Sequence, residues 1–330
     1  MSPLLSRRSR TLVALALSCL LTSFHVHAQK PVKPLRIGFV TPVPQTSREK
    51  VFHEELRRLG YVEGRDVVIE YRSAEGKFER LPELVAELVG LKVDVIVARA
   101  TQAALAGKRA TSTIPIVMIG VDDPVKAGLV ASLAQPGGNV TGTALLAADV
   151  VGKQFQLLRE FVPKLSRVSV VWNSANPVFQ KRQVAEAQAV AANLGLQLDL
   201  VEASSAEQLD RGFAAMGKQR SQAVLVLADV LFGTHAGRIA ALASKHRLPT
   251  IYGAREFADA GGLVAYGPSY AEAYRVAATF VDRIRKGERP ANLPIDQTSK
   301  FDLVVNARTA KMLGVAIPQS VRLRADLVID

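Results

Sequence analysis

The chain has 330 residues, one cysteine and a formal net charge of +12. A single cysteine excludes a disulfide framework, so a core of ordinary size has to stabilise the fold. The positive charge would suit a nucleic-acid-binding protein. However, the basic residues are spread over many predicted helices, without interleaved aromatic residues or a helix-turn-helix pattern. We therefore expect no nucleic-acid partner.

Residues 1–28 have the three parts of a secretory signal peptide. Three arginines lie within residues 7–10, Leu12–Leu21 is a mostly apolar run that includes Cys19, and Val26-His27-Ala28 supplies small residues before a cleavage point at Gln29. We predict export to the periplasm. An uncleaved membrane anchor is the weaker alternative, because a span needs roughly 20 apolar residues. The three arginines account for three of the formal +12, which leaves +9 on the exported chain.

Apolar runs of strand length then alternate with amphipathic helical patterns, which is typical of βαβ units in a parallel sheet. The predicted strands of this first set are Leu35–Val40, Asp66–Tyr71, Val93–Ala98, Ile114–Ile119 and a strand that begins at Val140. A helix is predicted over Val125–Leu133, after Asp122-Asp123-Pro124, since proline is favoured at a first helical position.

The same alternation begins again after residue 144. Its predicted elements are the helices Val150–Phe161 and Pro177–Leu194 and the strands Arg167–Trp172, Leu196–Glu202, Ala223–Ala228, Thr250–Tyr252 and Leu263–Tyr266. An amphipathic helix over Tyr270–Lys286 and a strand over Phe301–Val305 follow. Two similar sets of this size indicate two lobes.

Several short motifs carry a family resemblance. They are Leu59-Gly60-Tyr61-Val62-Glu63-Gly64, the stretch Val121–Gly142, Tyr252-Gly253 and Tyr266-Gly267-Pro268-Ser269. With them the chain, from about Pro34 to its end, resembles the substrate-binding proteins of ABC importers of the tryptophan/tyrosine type. The resemblance implies an α/β fold of the type I periplasmic-binding-protein kind, with two Rossmann-like lobes, open parallel sheets and a hinge of three chain crossings. It implies residues 29–143 plus 268–294 for lobe 1, and 144–267 plus 295–330 for lobe 2.

Candidate ligand-binding residues follow the strands, because open parallel sheets bind ligands at the carboxyl ends of their strands. Helix N-termini there suit a carboxylate, Asp122 or Asp229 suits an ammonium group, and aromatic walls are expected from Tyr252 and Tyr266, with Phe232 and Trp172. The predicted set is Thr41, Arg99, Thr101, Gln102, Asp122, Asn173, Asn176, Asp229, Tyr252, Glu256 and Tyr266.

Structural roles compete with these assignments. Thr101, Asn176 and Asp122 are also ordinary helix N-caps, and Arg99 fits a solvent-facing sheet edge as well as the cleft. Arg99 departs from the small or hydroxyl residue that relatives usually have at this position. If it faces the cleft it favours an anionic ligand, so tryptophan or tyrosine specificity is not carried over.

The sequence lacks the Gly-rich nucleotide-binding motifs, G-x-S-x-G and H-E-x-x-H, and its histidines lack ligand spacing, so we expect no catalytic activity, metal or cofactor. The predicted function is that of a periplasmic solute-binding component of an ABC importer, a monomer that binds an amino acid or carboxylate. The resemblance implies a permease partner in the inner membrane. A periplasmic sensor or chemoreceptor partner with the same fold is the alternative.

Overall fold

The computed structural model describes residues 33–145 and 147–330, so the predicted signal peptide lies outside the described residues. Residues 34–330 form one compact unit. Within the described residues, no helix is both long enough and apolar enough to span a membrane.

Strands and helices alternate along the chain, as the hydrophobic runs predicted. The strands are β1 (Leu35–Thr41), β2 (Val67–Ser73), β3 (Val95–Arg99), β4 (Ile116–Val121), β5 (Val140–Ala144), β6 (Arg167–Trp172), β7 (Gln197–Glu202), β8 (Ala223–Val226), β9 (Thr250–Tyr252), β10 (Val264–Pro268), β11 (Asp296–Gln297), β12 (Phe301–Asn306) and β13 (Leu327–Ile329). The α-helices are α1 (Arg48–Arg58), α2 (Leu81–Gly90), α3 (Thr101–Ala110), α4 (Val151–Phe161), α5 (Pro177–Asn193), α6 (Ala206–Lys218), α7 (Val230–Thr234), α8 (Ala236–Lys245), α9 (Arg255–Asp259), α10 (Tyr270–Arg285), α11 (Ala307–Leu313) and α12 (Gln319–Arg324).

The first sheet has the strand order β2-β1-β3-β4-β5-β11, and all of its pairs are parallel. Both faces are covered, which is why β3 is apolar at nearly every position: Ile96 packs in the cluster that contains Leu88, and Val97 in the cluster that contains Phe52. The strand order reverses between β1 and β3, so a crevice lies beyond their carboxyl ends. Arg99, the last residue of β3, stands at that crevice.

The second sheet has the order β7-β6-β8-β9-β10-β12-β13. Strands β6 to β10 pair in parallel, whereas β12 is antiparallel to β10 and carries β13 parallel to itself. The order reverses between β6 and β8, and Asn173 and Asp229 follow these two strands. The expected α/β architecture of two lobes is confirmed, with an antiparallel edge on the second sheet.

Three segments connect the lobes. They lie between β5 and α4, between β10 and α10, and between β11 and β12. The three run side by side, because the Thr298 N–H donates to the Ala144 carbonyl at 3.0 Å and the Ser269 N–H donates to the Lys300 carbonyl at 2.8 Å. Helix α10 returns to the first lobe, where it packs on α1 and β4. The three predicted crossings are therefore present.

The last crossing begins later than the predicted lobe boundary at residue 294. Strand β11 pairs with β5 in the first sheet, and Ile295 is buried in the first-lobe core. The pairing continues the sheet past Pro294, so two further residues belong to the first sheet. The other lobe boundaries stay a prediction.

The predicted helix over Val125–Leu133 is wrong. Residues 124–128 form a single turn, in which the Asp123 carboxylate accepts from the Lys126 N–H at 3.0 Å. Gly128 then adopts a left-handed φ of 71°, which ends the turn before a second one forms. Asp122 therefore caps no helix here.

Candidate functional site

A small cavity lies between the two lobes, at the carboxyl ends of both sheets. The first lobe and its returning helix α10 line it with Arg99, Ala100, Ile119, Gly120, Tyr270 and Tyr274, and the second lobe with Asn176, Phe179 and Val230. About 10 Å³ of it is accessible to the centre of a water molecule. The lobes are thus closed on one another around a space that both of them enclose.

Arg99 forms the polar part of the first-lobe wall, and only 3% of the residue is exposed. Its Nη1 donates to Oε1 of Glu49 at 3.1 Å, and the Tyr274 hydroxyl donates to the same oxygen at 3.2 Å. Oε2 of Glu49 accepts from the N–H and the hydroxyl of Thr46, at 2.7 and 2.8 Å. Burial raises the pKa of Tyr274, so its hydroxyl keeps the proton that it donates. Each oxygen of Glu49 thus accepts two hydrogen bonds, and Arg99 is held by one of them.

Arg48 and Tyr270 form a second polar contact beside the cavity. The guanidinium carbon of Arg48 lies 3.7 Å from the centre of the Tyr270 ring, a cation–π contact. The same guanidinium forms an ion pair with Glu256 on α9, which belongs to the second lobe. Burial lowers the pKa of Arg48, but a guanidinium remains charged in proteins. Arg48 therefore joins an aromatic wall of one lobe to a carboxylate of the other.

Ala100 has a strained backbone at the start of α3. Its φ of 72° and ψ of 160° fall in a region that is almost restricted to glycine. The conformation lets the Ala100 N–H donate to the Ile119 carbonyl at 2.8 Å while the next residue, Thr101, begins α3. The strain thus occurs where the chain turns from β3 past the cavity into a helix.

Asp229 organises the second-lobe wall. It is 6% exposed and is the N-cap of α7, where Oδ1 accepts from the Leu231 N–H at 2.9 Å. Asn173 donates to Oδ1 at 3.0 Å and Asn176 donates to Oδ2 at 2.7 Å. Burial raises the pKa of Asp229, and these hydrogen bonds oppose the shift. Three donors thus satisfy both oxygens of this buried carboxylate.

Two further contacts join the lobes. Gln102 on α3 donates to Oδ1 of Asn176 on α5. Arg182 on α5 donates from Nη1 to Oδ2 of Asp122 at 2.8 Å and also pairs with Asp149. Oδ1 of Asp122 accepts from the Ala148 N–H in the first crossing at 3.2 Å. Polar side chains of the first lobe and its flanking crossing are therefore matched by partners on the second lobe.

The structure brings together most of the residues predicted from strand ends. Arg99 and Asn176 line the cavity, and Gln102, Asn173 and Asp229 are hydrogen-bonded around Asn176. Glu256 pairs with Arg48. Thr101 and Asp122 lie together at a separate surface cavity with Arg182. The side chain of Asn176 bonds to Asp229 and does not cap α5.

Three predicted residues lie away from the cavity. The Thr41 hydroxyl donates to the Val43 carbonyl at 2.9 Å. Tyr252 is fully buried, with its ring stacked 4.8 Å from that of Phe257, and Tyr266 stacks on Phe301. Alternation along β9 and β10 points these tyrosines into second-lobe packing. Of the expected aromatic walls, neither Phe232 nor Trp172 lines the cavity either.

The aromatic walls are instead Tyr270, Tyr274 and Phe179, which strand-end reasoning missed. Arg48, Glu49 and Arg182 were missed as well. A signal for the tyrosines was present, since their spacing of four places both on one face of α10. A neighbouring cavity of about 160 Å³ is lined by Arg48 and shares Tyr270 with the first. Among residues 33–145 and 147–330 no group of three or more potential metal ligands lies close enough to hold an ion.

Two α/β lobes that close over a shared polar and aromatic cavity define a ligand-binding protein of the periplasmic-binding-protein fold. The chain belongs to the ABC transporter substrate binding protein family, whose profile matches residues 39–329. That is a family of binding proteins and not of enzymes, in agreement with the absence of catalytic motifs.

Similar proteins agree with this membership. The tyrosine-binding protein of Clostridioides difficile (strain R20291) is 27% identical over 288 residues, which cover 86% of this chain and 82% of that protein. A conserved domain protein from Vibrio cholerae has a TM-score of 0.83 at 27% identity, with 90% of this chain and all of that one covered. An ABC domain from Streptococcus pneumoniae in complex with L-Trp has a TM-score of 0.81 at 25% identity, with the same coverage.

A further similar structure was solved in an open, ligand-free state. The ligand-free, open structure of a substrate-binding protein with adhesive properties from Clostridium difficile is also 25% identical, and covers 89% of this chain and 99% of that one. Its TM-score is only 0.65, against 0.81 for the L-Trp complex. The interlobe contacts described above agree with the higher similarity to the complex.

Proposed function

We propose that this protein is the periplasmic solute-binding component of an ABC importer. It binds an amino acid or a carboxylate between its lobes and delivers it to a permease in the inner membrane. The observation that carries the proposal is the enclosed cavity, which is lined from both lobes and has Arg99 on one side and the Asn176–Asp229 pair on the other. A ligand held there contacts both lobes, so its binding free energy stabilises the closed arrangement.

The relatives support the chemistry of the ligand. One is named a tyrosine-binding protein and another was solved with L-Trp, so aromatic amino acids belong to the candidate ligands. The signal-peptide pattern of residues 1–28 supports export. Closure by hinge motion excludes water from the ligand and brings surfaces of both lobes together. That composite surface allows a permease to distinguish loaded from empty protein.

A thermal-shift screen of the exported chain, residues 29–330, tests the proposal. The panel contains amino acids, small carboxylates and aromatic acids. A ligand that binds only the native state raises the melting temperature by mass action, and calorimetry should then give one site per chain with no product formed. Failure of every compound to bind, or turnover of a bound compound, would exclude this function.

Delivery needs a separate measurement. Membrane vesicles that contain the cognate permease should take up the labelled ligand only when the loaded binding protein is added. Uptake that does not depend on the binding protein would reject the delivery step while leaving the ligand site intact.

A further inference from the structure

We infer that this site is selective for a compact carboxylate without an ammonium group, and that Arg99 sets this selectivity. The inference rests on the proposed function, because it names the ligand class of the same cavity. It departs from the amino acids with which the relatives are named.

The first argument is the unused donor capacity of Arg99. A guanidinium has five N–H donors in a planar fork, and the structure gives Arg99 one hydrogen bond, to Glu49. Its side chain is 4% exposed and lines the cavity. Its remaining N–H donors have no partner among the described residues, and a carboxylate matches the fork with two parallel hydrogen bonds. The wall therefore supplies a specific partner for an anion.

The second argument is that the carboxylates around the cavity are already engaged. Glu49 accepts from Arg99, Tyr274 and Thr46. Asp229 accepts from two asparagines and from the Leu231 N–H. An α-ammonium buried here would have to displace one of these donors or remain without a counter-charge, and a buried unpaired charge is costly.

Two carboxylates that lie near the cavity without lining it also have charged partners. Glu256 pairs with Arg48, and Asp122 pairs with Arg182. Neither pair releases a carboxylate without loss of a contact between the lobes. A ligand with an ammonium group would therefore weaken the same closure on which its own binding depends.

The third argument is size. Arg99, Tyr270, Tyr274 and Phe179 fill most of this cavity, so that only about 10 Å³ of it is left to a water centre. Drug-sized ligands occupy pockets of roughly 300–1,000 Å³, so a bulky aromatic side chain fits only if the lobes close less far. A short hydroxy or oxo acid requires the smallest opening.

The experiment compares matched ligands by calorimetry on the exported chain. The probes are pyruvate and L-lactate, L-alanine with ammonium in place of hydroxyl, L-lactamide without the carboxylate charge, and L-tyrosine and L-tryptophan. We expect L-alanine and L-lactamide to bind at least about tenfold more weakly than L-lactate, as for a lost charge-assisted hydrogen bond or an unpaired buried charge.

The variants separate Arg99 from general effects of charge. Arg99→Ser should weaken L-lactate binding at least about tenfold and strengthen binding of L-tyrosine. Arg99→Lys keeps the positive charge but lacks the planar pair of N–H donors. Its affinity for L-lactate should therefore lie between those of the wild type and of Arg99→Ser. Arg36→Ser is the matched control, because Arg36 also pairs with a glutamate, Glu70, but at the opposite end of the first sheet. If Arg99→Ser folds poorly with Glu49 unpaired, Arg99→Ser combined with Glu49→Gln removes both charges.

The outcomes are distinct. The inference is supported if the wild type binds L-lactate more tightly than L-alanine, L-lactamide, L-tyrosine and L-tryptophan, and if Arg99→Ser instead prefers L-tyrosine to L-lactate. Binding of L-tyrosine, L-tryptophan or L-alanine by the wild type as tightly as L-lactate overturns the inference and leaves the proposed function standing. If neither these probes nor the wider panel bind to the wild type, the proposed function fails and the inference fails with it.

Discussion

Asn176 donates a 2.7 Å hydrogen bond from its side-chain Nδ2 to Oδ2 of Asp229, and this bond determines which way the amide of Asn176 faces. With its nitrogen held by the carboxylate, its oxygen Oδ1 faces the first lobe and accepts from Gln102. Both partners of the 2.7 Å bond follow strands of the second lobe. A contact inside one lobe therefore prepares an acceptor for the other lobe.

Asp229→Asn should weaken binding of the ligand by about 1–3 kcal/mol, the range for a buried hydrogen-bonding group left without a partner. The new amide can keep its oxygen toward Asn173 and the Leu231 N–H, but it then presents its NH2 group to Asn176, which is itself a donor, so the orientation of Asn176 is lost. Calorimetry on the best ligand of the screen measures the effect. Asp210→Asn is the control, since Asp210 pairs with Arg238 on the surface of the second lobe. Unchanged affinity in Asp229→Asn would show that Asp229 does not orient the site.

Arg182→Ala should shift the unliganded protein toward open forms. Arg182 contacts Asp122 at 2.8 Å across the lobes, but its side chain is 36% exposed, so we expect a loss of only about 0.5–1 kcal/mol, or roughly two- to fivefold in affinity. Small-angle scattering should give a larger radius of gyration, and added salt should move the wild type in the same direction. In the control Arg238→Ala the lost pair lies within one lobe. Equal radii in both variants would contradict a role in closure.

Ala100→Gly should raise the free energy of unfolding by about 0–2.5 kcal/mol. Release of the strain at φ 72° and ψ 160° stabilises the folded protein by about 1–3 kcal/mol. The greater flexibility of glycine in the unfolded chain destabilises it by about 0.5–1 kcal/mol. Urea denaturation measures the difference. In the control Ala185→Gly, at an exposed position inside α5, stability should instead fall by about 0.5–1 kcal/mol. A stability loss at both positions would refute the strain.

Tyr61→Phe should make the free energy of unfolding decrease less steeply with pH above pH 10. Burial, and then the 2.9 Å hydrogen bond to Asp282, raise the pKa of Tyr61 from 10.0 to about 12. Above pH 10 the unfolded chain releases this proton while the folded protein retains it, so stability falls as the pH rises from 10 to about 12. The variant has no such proton, and its unfolding free energy should therefore decline less steeply over this window. Parallel declines in wild type and variant would show that the pKa is not raised.

The order of elements and the edge where the site lies were predictable from the sequence. A run such as Val95–Arg99 is apolar at successive positions because both faces of a parallel strand are covered, and the polar residue that ends it marks the carboxyl edge of the sheet. The same reasoning placed Asn176 and Asp229 beside the cavity. These are local properties, set by hydrophobic periodicity and by the chain direction in parallel sheets.

Only the tertiary structure decided which side chains face one another across the lobes. Tyr274 reads as one more apolar position of an amphipathic helix, and it reaches Glu49, 225 positions earlier in the chain, because α10 returns to the first lobe. Tyr252 ends a strand as Arg99 does, yet it packs in the core. The pairing of Arg48 with Glu256 likewise depends on how the lobes close. Periodicity specifies the face on which a residue lies, but the partner opposite that face is set by packing between elements distant in the chain.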